Sequence, residues 1–190
     1  QDLRFAKSTN GGTSWATSTV DSAGDVGKKT SIKAVNANTL FIAYDDWTNL
    51  SDRNLRFAKS TNGGTSWATS TVATGNSYNG SLDFVDANTI FMSYLNAALI
   101  TLEIATSTNG GTSWATSSLA INEGTVDANT ISVVDANTVF ATHHSTDINI
   151  PPVHSFSVFK YTGSNTFKLQ YSQRSGTCDN GFVCETYTDL

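Results

Sequence analysis

Short apolar runs, five to seven residues long, return along the chain, each bounded by Ser, Thr, Asn, Asp and Gly. Residues 31–35, 81–85 and 130–134 form one series, and residues 39–44, 89–94 and 138–142 another; both are rich in β-branched and aromatic side chains. Between them stand Val35-Asn36-Ala37-Asn38-Thr39, Val85-Asp86-Ala87-Asn88-Thr89 and Val134-Asp135-Ala136-Asn137-Thr138. Asn and Asp side chains cap backbone groups and tolerate left-handed conformations, so each run, turn and run predicts a β-hairpin. A second hairpin series has arms 3–7, 55–59 and 102–106 on one side and 14–20, 66–72 and 113–119 on the other. Asn-Gly-Gly sits at its tip and supplies the positive φ angles of a tight reversal. An inner hairpin followed by an outer hairpin predicts one antiparallel sheet of four strands.

The tips repeat letter for letter. Ser8-Thr9-Asn10-Gly11-Gly12-Thr13-Ser14-Trp15 returns at residues 60–67 and at 107–114, with Ala-Thr-Ser after each copy. Trp67 follows Trp15 by 52 residues and Trp114 follows Trp67 by 47. A period of about 50 residues is the length of one four-stranded propeller blade. The expected fold is therefore all-β, a β-propeller of four-stranded antiparallel blades. About four blades fall in this chain, read as a single domain over residues 1–190, with units at 2–20, 31–72, 81–119 and 130–175. The fourth unit drifts: strands at 155–162 and 166–173 flank Gly163-Ser164-Asn165, and Pro151-Pro152 lies in the connection before them. An extra Val126-Asp127-Ala128-Asn129-Thr130 precedes that unit and reads as a longer inter-blade loop.

Composition narrows the class. Ser, Thr, Asn and Gly dominate while Lys and Glu are scarce, a mixture that suits hairpins rather than helices. Charged residues make up 14% and the net charge is −5, which disfavours a nucleic-acid surface. No apolar run of about 18 residues exists, so no membrane span is expected. The chain opens with Gln1 and shows no signal-peptide pattern, which reads as a mature, processed or excised piece. Cys178 and Cys184 read as a disulfide closing a small loop within a C-terminal tail, residues 176–190; two free thiols are the alternative. Such a bridge contributes roughly 2 to 3 kcal/mol and implies an oxidising compartment. Two thiolates with no nearby His cannot complete a tetrahedron, so neither a metal nor another cofactor is expected. Asn49-Leu50-Ser51 and Asn79-Gly80-Ser81 are glycosylation acceptor triplets.

The phrase Ser-x-Asn-x-Gly-x-Ser-Trp resembles the Asp-box, the BNR repeat of sialidase-like β-propellers, with Asn in the usual Asp place. The likeness extends over roughly residues 2–145. It implies a structural role for Ser8, Asn10, Gly12 and Trp15, for Ser60, Asn62, Gly64 and Trp67, and for Ser107, Asn109, Gly111 and Trp114. Asn would accept from turn amides, Gly would permit the reversal, and Trp would cover the hairpin's apolar face. Catalytic members of the family carry three arginines for a carboxylate, a Tyr–Glu nucleophile pair and an Asp acid. This chain has Arg4, Arg53, Arg56 and Arg174, and Glu103 replaces the repeat-equivalent Arg4 and Arg56 in the third copy. A position that takes either charge reads as an exposed strand face. The expected catalytic set is therefore none.

Two clusters are candidates for ligand binding. Asp45-Asp46-Trp47 enters a long loop, where an aromatic ring beside carboxylates can hold a sugar; a solvated loop with a packed Trp is the plainer reading. His143-His144 ends the equivalent strand of the last unit, with Asp147 and His154 nearby in sequence; adjacent strand residues face opposite sides, so both rings cannot share one metal. The chain begins at an outer hairpin with no inner hairpin before it. A piece of a longer propeller, a compact four-bladed ring, and a ring or filament completed between subunits through blade edges all stay open. The expectation is a secreted or cell-surface, non-catalytic module that binds a glycan or surface protein or serves as a scaffold. A sialidase-type glycoside hydrolase, or a fragment of one, and a self-assembling extracellular structural protein are the alternatives.

Overall fold

The computed structural model describes residues 1–119, 125–147, 153–161, 167–175 and 186–187. Strands β1 (Leu3–Lys7) and β2 (Ala16–Asp21) pair as a two-stranded sheet. Strands β3 (Val26–Ala34), β4 (Leu40–Asp46), β5 (Asn54–Ser60) and β6 (Ala68–Ala73) follow as a four-stranded sheet in chain order. The same order recurs in β7 (Ser77–Phe84), β8 (Ile90–Asn96), β9 (Thr101–Ser107) and β10 (Ala115–Leu119). The last sheet holds β11 (Thr125–Asp135), β12 (Thr138–Asp147), β13 (Val153–Tyr161), β14 (Phe167–Ser175) and the short β15 (Thr186–Tyr187). Every pairing is antiparallel, and no helix occurs among the described residues.

The sheet order follows the expected hairpins, with one correction. Residues 126–130 are not a loop: they lie inside β11 and pair with β12, Val126 with Ser145 and Asn129 with His143. Their Val, Asn and Thr extend the strand, and the duplicated turn letters are absorbed by a register shift between Val126 and Ala128. The last sheet also gains β15 on its outer edge. Pro151, Pro152, the turn at residues 163–165 and both cysteines lie outside the described residues.

The inner turns form as their chemistry dictates. The Asn36 side chain accepts from the amides of Asn38 and Thr39 at 2.9 and 2.8 Å, and Asp86 repeats the pair toward Asn88 and Thr89. The outer turns are more elaborate. Asn62 Oδ1 accepts from the Ser66 amide and the Ser60 hydroxyl, its Nδ2 donates to Ser66 Oγ, and Ser60 Oγ accepts from the Gly64 amide. Turns 8–15 and 107–114 repeat these bonds. An Asp could accept as Asn does, but Asn also donates to the serine, which accounts for its presence here.

The first three sheets lock together in succession through this turn. Phe5 lies edge-on to Trp67 at 5.2 Å, and Phe57 to Trp114 at 5.3 Å. Ser18 Oγ donates to the Gly64 carbonyl and Ser70 Oγ to that of Gly111. Gly64 and Gly111 have φ near +87° and +86°, and a Cβ at either would run into the Phe5 or Phe57 ring. Gly63 and Gly110 donate to the inner-turn carbonyls of Asn38 and Asn88. The Asn-Gly-Gly phrase does not recur in the sequence of the fourth unit, and on the third outer hairpin Ile104 and Thr106 stand where the earlier hairpins have Phe and Lys. No described outer hairpin packs against the first turn. Gly11 has open space around it, Gly12 meets only its own Trp15, and Trp15 is 61% exposed. The expectation that this Trp covers an apolar face therefore fails at Trp15, because no described hairpin opposes it.

Three apolar clusters lie between successive sheets. Leu3, Val20 and Ile42 join the first two, Phe41, Phe57, Leu82 and Met92 the next two, and Phe91, Leu102, Ile131 and Val139 the last two. Burying each such side chain contributes about 2 to 3 kcal/mol, so the stack, more than any single hairpin, carries the stability.

Candidate functional site

One strand position repeats its chemistry. Tyr44 and Tyr94 stand near the ends of β4 and β8 and His143 at the equivalent place in β12, and all three are buried; His143-His144 do not end that strand as expected, because β12 runs on in the ladder to Asp147. Opposite Tyr44 in the ladder is Arg56, and opposite Tyr94 is Glu103. Tyr44 donates to Asp21 Oδ2 at 2.7 Å. Arg56 spans that same oxygen at 3.6 Å and Asp46 Oδ2 at 3.4 Å. Burial, joined by the Asp21 hydrogen bond, pushes the Tyr44 phenol well above its ordinary range. Burial opposes ionisation of Asp46, but the Thr48 donors and Arg56 hold its carboxyl below the usual value. In the next sheet Glu103 accepts from Thr101 Oγ1 and Ser118 Oγ at 2.8 and 2.6 Å. Burial, then the Glu103 charge, pushes Tyr94 up in the same direction. The position that takes either charge is therefore not a uniformly exposed face: Arg4 is exposed, Arg56 is half-buried, and Glu103 is buried.

The candidate residues Asp45, Asp46 and Trp47 separate in space. Asp45 is wholly buried, and its two oxygens accept from the Asn79 amide of the next sheet at 2.9 and 3.1 Å. Desolvation raises its pKa to about 7 against the donors of Asn79, Trp47 and Gly80. Asp46 joins Arg56. Trp47 is half-buried, with the Lys28 ammonium and the Arg53 guanidinium each 4.7 Å from its ring centroid. Arg53 also stacks on Tyr78 at 4.5 Å. Two carboxylates and an open ring are thus not presented together. His143 is buried and His144 half-buried, on opposite faces of β12 as neighbours must be. Among the described residues no three His, Cys, Asp or Glu side chains gather as a metal cluster. No described helix is long and apolar enough to cross a membrane.

Sequence reasoning overlooked the loop tips at this same end of the sheets. Leu50, between β4 and β5, and Leu99 and Ile100, between β8 and β9, are 67%, 63% and 52% exposed. The two loops are tied together: the Ser77 amide donates to the Arg53 carbonyl and the Ala97 amide to that of Asn76, while Gly75 donates to the Asp52 carboxylate. Ile100 is held at a φ of +54°, an unusual conformation for a β-branched residue. Apolar side chains on consecutive loop tips were the signal available, since turns are normally polar.

No protein-family model matches this chain, and no curated protein matches it.

Proposed function

We propose that the chain is a secreted or cell-surface β-propeller module of the Asp-box type that binds a glycan or a protein and does not cleave it. The observation that carries this reading is the loop end, where Leu50, Leu99 and Ile100 project beside the Trp47–Arg53–Tyr78 stack. Exposed apolar side chains close to half-buried aromatic rings and a guanidinium are the composition of recognition surfaces. The propeller reading draws support from repeat sheets of blade length with one apolar cluster between each successive pair.

The Tyr–carboxylate pairs speak against hydrolysis. A nucleophilic phenol needs access and a lowered pKa. Tyr94 beside Glu103 has neither: it is buried and shifted upward, and Glu103 is already bonded to two hydroxyls. A location outside the cell is supported by the spacing of Cys178 and Cys184, which suits a small disulfide loop, and by the triplet at Asn49, which sits in an exposed loop. The triplet at Asn79 lies in β7, its amide engaged by Asp45.

The test combines a fluorogenic sialoside assay with binding to immobilised glycans and to surface-protein extracts. The reading expects no turnover above buffer. It expects binding that is lost in a Leu50→Ser/Leu99→Ser variant with an unchanged β-sheet spectrum. Turnover of the sialoside by the pure chain would restore the hydrolase reading.

A further inference from the structure

The two-stranded first sheet lacks what every later outer hairpin has, an inner hairpin on its first strand. The consequences are local and consistent. Ile32 on β3 is 52% exposed, whereas its repeat equivalents Leu82 and Ile131 are 0% and 4% exposed. The difference is what packs beneath them: β7 lies on β3 and β4, and β11 lies on β7 and β8. Of the elements that precede it, β1 packs against β3, and only at its margin. A groove of about 350 Å³ opens there, lined by Leu3, Phe5, Gly27, Thr30, Ile32 and Ile42.

We propose that this groove and the open edge of β1 form a docking seat for one more β-hairpin of the chain's own inner type, built like β3–β4. The interface already formed twice within the chain defines the occupant. Where β7 meets the second sheet, the Leu82 amide donates to Ser31 Oγ and the Asn79 amide to the Asp45 carboxylate. Where β11 meets β7, the Ile131 amide donates to Ser81 Oγ. Ile32 and Lys29 hold the matching positions on β3, and Lys29 has the same left-handed backbone as Asn79, φ +49° against +61°. Both residues sit in the same irregularity of the ladder, between Lys28 and Ser31 on β3 and between Tyr78 and Ser81 on β7, so β3 presents the shape that β7 uses to meet the Asp45 carboxylate. The occupant therefore carries a serine on its first strand facing Ile32, a carboxylate at the end of its second strand facing Lys29, and an aromatic residue corresponding to Phe41 that covers Phe5. Its second strand pairs with β1 as β4 pairs with β5. This inference rests on the repeat geometry and not on the binding function proposed above.

The experiment extends the full chain at its N-terminus with a second copy of residues 22–52, which joins to Gln1 as residue 52 joins to Arg53. Urea denaturation is then measured with and without Ile32→Ser at the original Ile32, in both the extended and the unextended chain. In the unextended chain the substitution should barely move the midpoint, since the side chain is half in water. In the extended chain it should lower the midpoint by about 1 M, as loss of a fully buried aliphatic side chain does. Amide exchange at Leu3 and Phe5 should slow only in the extended chain. Equal small effects of Ile32→Ser in both chains would overturn the proposal. So would self-association of the unextended chain that Ile32→Ser abolishes, because the seat would then belong to a second copy.

Discussion

Gly12, Gly64 and Gly111 hold the same place in three identical turns, with φ of +87°, +87° and +86°. Alanine at each position carries the same backbone penalty, about 1 kcal/mol after the smaller unfolded-state entropy is counted. What differs is the neighbour. At Gly12 the new methyl meets only Trp15 Cζ2, at 3.8 Å, an ordinary contact. At Gly64 it enters the ring of Phe5, which is half-buried and can swing aside. At Gly111 it enters the ring of Phe57, which is 1% exposed and held by Phe41 and Trp114. Overpacking of a fixed core adds roughly 1 to 3 kcal/mol. The expected losses are therefore about 1 kcal/mol for Gly12→Ala, about 2 for Gly64→Ala and about 3 to 4 for Gly111→Ala. Urea unfolding followed by circular dichroism reads these as midpoint shifts of about 0.5, 1 and 1.5 to 2 M. Equal losses at the three sites would refute the argument, for they would mean that the turn acts within its own hairpin and does not lock onto the preceding sheet.

Other consequences follow from single contacts. Ser60→Ala should cost about 1 to 2 kcal/mol, because Ser60 is buried and its hydroxyl accepts from the Gly64 amide; Ser8→Ala, in a solvated copy of the turn, should cost less than about 0.5 by the same denaturation assay. Asp45, with its pKa raised to about 7, keeps in the folded state a proton that the unfolded chain releases near 4. Its contribution is thus most favourable below that value and declines as pH rises toward 7, and Asp45→Asn should flatten that decline in melting curves from pH 4 to 8. Tyr44→Phe should destabilise by about 1 to 2 kcal/mol, and a cycle with Arg56→Met should be non-additive, since both side chains converge on Asp21 Oδ2.

Much of this architecture is legible along the chain because it rests on period and turn chemistry. The Asn36 and Asp86 caps and the Asn62 turn do locally what those residues do anywhere, and the strands fall where β-branched and aromatic runs lie between them. Residues that depend on a neighbouring sheet were not legible. Leu3–Val20 and Leu55–Val72 are identical in sequence, yet Trp15 is exposed and Trp67 packs on Phe5, because only the second copy has a hairpin in front of it. Asp45 looked like a surface acid at a loop mouth, and its burial comes from the Asn79 amide, 34 residues away. The segment at residues 126–130 carries turn letters but is held as strand by its ladder to β12. The alternation of Arg4, Arg56 and Glu103 suggested a solvated face; cross-strand and next-strand hydroxyls and carboxylates decide it instead.

The central claim is that each repeated turn is a socket completed by other elements of the stack. Amide hydrogen exchange on the intact chain tests it most directly, because the three turns are identical in sequence and serve as each other's controls. Gly63 and Gly110 donate to Asn38 and Asn88 at 2.8 and 2.9 Å and are buried, whereas Gly11 is exposed with open space around it. Gly63 and Gly110 should exchange at least about a hundredfold more slowly than Gly11, with opening free energies close to that of the sheets they join. Equal exchange at all three glycines would contradict the account.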